Sequence, residues 1–201
     1  PNTFLIGGVA LLFIVATSVL VAYLVVRRNN FVNRFIDTLP MIPYVIPGAV
    51  IGIAMIISFN KKPLVLVGTA AIMIIALVIR RNAYTIRSSV AILQQIPLSV
   101  EEAASSLGSS KLKTFFRVTM PMMGNGIISG ALLSWIAIIT ELATGILLYN
   151  YRTTTLTIEI FTAVLRGNYG IAAAMACILT VMTTISLLLF MKISKNKDIT
   201  F

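Results

Sequence analysis

Five long stretches of the chain are apolar, and polar segments separate them. The first, 4–26, carries no charge and ends at Arg27 and Arg28. It is long enough to cross a hydrocarbon core of about 30 Å. The second, 41–59, contains Pro43 and Pro47 and is punctuated by Lys61, Lys62 and Pro63. The third, 64–79, is short and ends at Arg80–Arg81. It crosses untilted or lengthens through snorkelling lysines. The fourth, 127–148, is interrupted by Glu141, and the fifth, 171–191, precedes a Lys-rich tail. The alternating segments of about ten residues that mark a membrane β-barrel are absent. The pattern predicts an all-α polytopic membrane protein of about five transmembrane helices, with 1–201 as one domain.

The segment 82–126 has helical grammar of its own. Ala83, Ile86, Val90 and Leu93 recur at helical spacing, and Pro97 ends that helix or starts the next. Ser99 lies three residues before Glu102, a capping-box spacing. Val100, Ala103, Ala104 and Leu107 follow as one apolar stripe. Gly108 falls where a left-handed residue closes such a helix. A third piece sets Leu112, Phe115 and Phe116 on one face, with Lys111, Lys113 and Arg117 outside, and Pro121 closes it. The middle helix is too short to stand alone. It is a docking knob, with small residues that permit close approach, or a helix lying on lipid headgroups.

Composition supports the membrane reading. Hydrophobic residues make up 58% and charged residues 11%, against about 45–50% and 25% in soluble domains. Disorder and a coiled coil are excluded by the same figures. The net charge of +10 would suggest nucleic acid in a soluble protein. Here the cations sit between apolar runs and report topology instead. One side receives Arg27, Arg28, Arg34, Arg80, Arg81, Arg87, Lys111, Lys113, Arg117, Lys192, Lys195 and Lys197. The other receives Lys61, Lys62, Arg152 and Arg166. The segment 82–126 and the C-terminus are expected in the cytoplasm and Pro1 outside. With no histidine and Cys177 alone, an intrachain disulfide and a Cys/His metal site are excluded. The first apolar run exceeds a signal-peptide core of about 7–15 residues.

The run Glu102-Ala103-Ala104, three residues, Gly108, nine residues, then Val118-Thr119-Met120-Pro121 resembles the EAA signature of ABC importer permeases. Val118 and Met120 are apolar swaps at the Ile and Leu of that signature. Five spans, with this loop between the third and fourth, also resemble the family's MetI-like core. The resemblance implies that Ser99, Glu102, Ala103, Ala104, Leu107 and Gly108 meet a separate ATP-binding subunit, two of which serve each transporter. It implies a second permease module, identical or fused, an extracytoplasmic substrate-binding protein and a multi-pass place in the bacterial inner membrane. ATP and Mg would belong to the partner ATPase, and this chain would need no cofactor. No phosphate-cradling G-x-x-x-x-G-K-[ST] loop and no G-x-S-x-G or H-E-x-x-H motif is present, so a transporter subunit is expected rather than an enzyme. A passive channel or scaffold subunit is the alternative class.

Glu141 is the acidic residue inside an apolar span, where a carboxylate costs at least about 2.5–3.5 kcal/mol. It is a pore or gate group, or an anchor near the outer interface. Pro40, Pro43 and Pro47 either set the entry of the second span or free carbonyls along a path. The stretch Glu141-Leu142-Ala143, Leu147-Leu148 and Thr155-Leu156 resembles the ferric-iron branch of these permeases. Related branches carry phosphonate, thiamine or polyamine. That branch often fuses two modules, and a chain starting at Pro1 with an outward N-terminus fits the second half of such a fusion.

Overall fold

The computed structural model describes residues 2–28 and 30–195. Pro1, expected outside, and Lys197, used in the charge count, lie outside the described residues. The order is α1 (Asn2–Arg27), α2 (Phe31–Thr38), α3 (Met41–Val45), α4 (Gly48–Ser58), a hairpin of β1 (Asn60–Lys61) and β2 (Leu64–Val65), and α5 (Ala70–Gln95). Next come α6 (Leu98–Ser106), α7 (Lys111–Thr114), a π turn (Phe115–Thr119), α8 (Met120–Met122) and α9 (Gly124–Ile139). The chain continues through α10 (Gly145–Leu148), α11 (Leu156–Leu165) and α12 (Tyr169–Lys195).

Small residues let the central helices touch. Gly7, Ala10, Ser18 and Ala22 lie along the buried stripe of α1. In lipid such stripes replace hydrophobic drive with close van der Waals packing. Gly126, Gly130 and Ser134 recur every fourth residue on α9 and face α5. A Cβ at Gly130 would lie 2.7 Å from the Thr85 Cα, and Ser134 Oγ lies 2.8 Å from Thr85 Oγ1.

α1 and α5 run side by side in the same direction. Ile6, Ala10 and Ile14 pack with Ile72, Met73, Ala76 and Leu77 at the Asn2 end. Val19 and Ala22 pack with Ile86, Val90 and Leu93 at the Arg27 end. Between these two apolar cores lies a polar belt, where Asn82 bonds Thr17 and Ser18.

Several boundaries differ from the sequence expectation. Residues 64–69 are not part of a third span: they form β2 and a turn with Gly68 at φ +81°. The helix there is α5, which starts at Ala70 and runs through Arg80–Arg81 to Gln95. Both arginines immediately precede Asn82, beside the middle of α1, because a buried carboxylate receives them. Removing them from the charge count leaves ten against four, and its direction holds. The segment expected as a loop over 82–126 is therefore helical at both ends. The second span, 41–59, is broken. Ile46 and Pro47 are extended, so α3 and α4 are separate helices. Pro40 and Pro43 set the entry to α3, while Pro47 makes the bend. The fourth span, 127–148, stops at Ile139 and resumes at Gly145.

Among the described residues α1 and α12 are long and apolar enough to cross a membrane unbroken. Two bent pairs, α2–α3 with α4 and α7–α8 with α9, qualify if each is one span, the second bent by 67°. α5 lies alongside α1 against both apolar cores, but with three arginines it does not meet the same test. The π turn has a cause in Pro121, which lacks the N–H that an α-helical turn would direct at the Arg117 carbonyl. Its wider winding separates the expected apolar face. Phe115 packs inward, whereas Leu112 and Phe116 are 73% and 61% exposed.

Candidate functional site

α6 is a short helix with a firm end. Gly108 at φ +82° accepts the left-handed position, its N–H donates to the Ser105 carbonyl at 2.9 Å, and the Ser109 N–H donates to Ala104 at 3.0 Å. These two bonds form a Schellman closure. The other end differs from the sequence expectation. Pro97, with φ −62° and ψ 143°, is the N-cap, so the helix starts at Leu98 and Ser99 falls inside its first turn. The capping box of Ser99 and Glu102 does not form, because the proline fixes the start too early for it.

The two faces of α6 are distinct. Ser99, Glu102, Ala103 and Leu107 are exposed, Leu107 at 89%, and Gly108 is exposed beside them. Val100, Glu101 and Ala104 are half-buried. Ala104 thus turns partly inward, away from its neighbour Ala103. Glu101 reaches α1, where Arg27 Nε donates to it at 2.8 Å. A groove of about 510 Å³ opens between α1, α6 and α7, with Arg27, Arg28, Glu101, Glu102 and Lys111 on its walls.

The second constellation is in the polar belt. Glu141 sits in the break after α9 and is 7% exposed. Its Oε1 accepts from Arg80 Nη1 at 2.6 Å and from the Thr144 N–H at 3.0 Å, and its Oε2 accepts from Arg81. The Thr144 hydroxyl lies 3.0 Å from Arg80 Nη1. The carboxylate therefore caps the turn into α10 and, with a single charge, answers two of the three arginines on α5. The space beside Glu141 is about 20 Å³, room for a single water-sized molecule. Gly48 closes the cluster from α4: a Cβ there would lie 2.7 Å from both Arg80 Nη1 and Thr144 Oγ1. Two helix breaks, at Pro47 and at Glu141, thus meet on the arginines of α5. Pro47 itself is exposed and Pro43 half-buried, one helix away from that contact.

The arginines were missed as partners of Glu141 because their doublet reads as the end of a span. The signal was present: an acidic residue inside a span needs a cation at the same depth. Glu101 was missed because its neighbour Glu102 carries the signature. The stripe Gly126, Gly130, Ser134 was also missed, although its every-fourth-residue spacing is a small-residue repeat.

Comparison with known proteins decides the family. The family described as binding-protein-dependent transport system inner membrane component matches residues 10–197. This chain belongs to that family. Among transport components related to it, a ferric transport system permease protein of Actinobacillus pleuropneumoniae is 31% identical over 94% of this chain. The chain spans 28% of that relative's length. A molybdate/tungstate transport system permease protein of Pyrococcus furiosus is 30% identical over 94% of the chain and 73% of its own length. The fold of the component is that of a bacterial alginate ABC transporter solved with an alginate-bound periplasmic protein. That likeness has a TM-score of 0.77 at 19% identity, covering 97% of this chain and 76% of the other. The chain is thus an all-α polytopic membrane protein of the ABC importer permease type.

Proposed function

We propose that this chain is a permease module of an ATP-driven importer, forming half of a translocation pore. In this reading α6 docks on a separate ATP-binding subunit through Ser99, Glu102, Ala103, Leu107 and Gly108, with Ala104 behind them. One observation carries it: a short, closed helix presents its small and signature residues outward while its other face is fastened to the transmembrane body. A helix of this length has no independent stability, so its rigidity is supplied by the fold for a partner to push against. ATP and Mg act on that partner, and a binding protein delivers cargo on the other side. The Arg27 end and α6 face the cytoplasm, in line with ten cations against four.

The cargo we favour is ferric iron, on the strength of the ferric relative; the molybdate/tungstate relative makes an oxyanion the second choice. Among the described residues no three of His, Cys, Asp and Glu gather as a metal site, so selectivity for iron would rest with the binding protein.

Ala103→Trp tests the docking. Position 103 is exposed in mid-helix, so the variant should insert normally yet lose the ATP-binding subunit on co-purification. If the ATPase travels equally with both forms, α6 is not the docking surface. Uptake of labelled ferric iron and of molybdate by the full-length transporter then separates the two cargoes.

A further inference from the structure

The inward face of α6 makes a contact that docking does not require. Arg27, the last residue of α1, donates from Nε to Glu101 Oε1 at 2.8 Å and from Nη2 to the Ile96 carbonyl at 3.0 Å. The Tyr23 hydroxyl donates to the other oxygen of Glu101 at 3.4 Å. The side chains of Arg27 and Glu101 are only 11% and 12% exposed, so solvent screens this pair weakly. One guanidinium therefore holds both the end of α5 and the first turn of α6. The Tyr23 ring also meets Phe115 edge-on, with centroids 4.9 Å apart, which fastens the segment after α6 to the same helix.

The backbone alone would leave α6 free to swivel. It is joined to α5 through the extended residues Ile96 and Pro97, and to α7 through the left-handed Gly108. A force on its outer face would rotate a nine-residue helix about those two joints before moving anything else. A charge-assisted bond on the inner face fixes its angle. By contrast, the Arg87–Asp37 pair is 48% and 26% exposed and merely braces α2 against α5.

We propose that the Arg27–Glu101 pair carries the displacement of α6 into α1, so that docking moves the first span as well as α5. Arg27 and Glu101 are positioning residues in this scheme, and the proposal rests on the docking reading. Coupling between sites of this kind is worth 5-fold or more.

The test uses the complete transporter, with its ATP-binding subunits and binding protein, in lipid vesicles. Glu101→Gln and Arg27→Gln are compared with the exchanged pair R27E/E101R. Co-purified ATPase, ATP hydrolysis and cargo taken up per ATP are measured. Each single variant should retain the ATPase while cargo per ATP falls roughly 5- to 10-fold, and the exchanged pair should recover most of it. Unchanged cargo per ATP in Glu101→Gln overturns the proposal. So does loss of the ATPase from Glu101→Gln, which would put Glu101 in the docking contact. An exchanged pair as defective as the singles also overturns it. Wild type that carries no ATPase defeats the docking reading itself, a separate result.

Discussion

A carboxylate at mid-depth requires a cation beside it, and Glu141 has two. Replacing it with Gln keeps the hydrogen-bonding shape but leaves the buried Arg80 and the half-buried Arg81 without a counter-charge. Breaking a buried pair in this way costs about 3–5 kcal/mol. We expect Glu141→Gln to melt well below wild type in detergent and to reach the membrane in lower yield. Adding Arg80→Gln should restore part of the loss, since Arg80 is the more buried of the two partners, its side chain 10% exposed against 17% for Arg81. A Gln variant that melts with wild type would mean the arginines are neutralised by something other than Glu141. Gly130 offers a steric counterpart. A Cβ there meets backbone at 2.7 Å and the Ser88 Cβ at 2.9 Å, so Gly130→Ala should push α9 off α5 at a cost of about 1–3 kcal/mol. Gly8, in α1, has nothing within 4 Å of its would-be Cβ. Gly8→Ala should be neutral or stabilise by up to about 1 kcal/mol, and the same melting experiment compares the two.

Elements were legible where local chemistry settles them, and illegible where a distant residue does. The stripe Ala83, Ile86, Val90, Leu93 predicted a helix, and all four are buried on α5. Gly108 predicted a left-handed closure and has it. Ser99 failed because two start signals competed two residues apart. Pro97 keeps Ile96 out of the α region and has no N–H to offer an internal turn, so the new helix starts directly after it and a serine hydroxyl cannot outvote that. Ser99→Ala should therefore change stability by less than about 0.5 kcal/mol, whereas a working cap would lose about 1 kcal/mol. Chemical denaturation of the solubilised protein distinguishes the two values. The ends of α5 failed for another reason. An arginine doublet stops a span only when its charge has to reach water. Here the answering carboxylate lies 60 residues further along the chain, a separation no window of local hydropathy spans. The breaks at Pro47 and Glu141 had local signals, a proline and a charge inside apolar runs. That both breaks close on the same arginines needed the tertiary arrangement.

At the scale of the molecule, the interior is two apolar cores with a polar belt between them, and the belt fixes how the crossings are threaded. α1 descends from Asn2 to Arg27, and α5 repeats that direction beside it. The segment between them, α2 to α4, must return to the Asn2 end, where the Asn60–Val65 hairpin turns. α9 also runs back toward that end, pairing Ser134 with Thr85 and Ile138 with the core at the Asn2 end. The hairpin and the Arg152 region, which meets Asn2 through its carbonyl at 2.8 Å, therefore share one side, and α6 lies on the other. This threading follows from packing alone, whereas the cation count supplies the direction independently. Cysteine labelling tests both together. Cys177 is exposed on α12 and is first changed to Ser. Single cysteines at Lys62 and Ser106, both exposed, are then treated with a membrane-impermeant maleimide. Intact cells should label position 62 and spare 106, and inside-out vesicles should reverse the result. Labelling of both positions from one side would break the threading. A clean reversal, with 106 reached from outside, would keep the threading but place α6 away from any cytoplasmic ATPase, and the importer reading would fall with it.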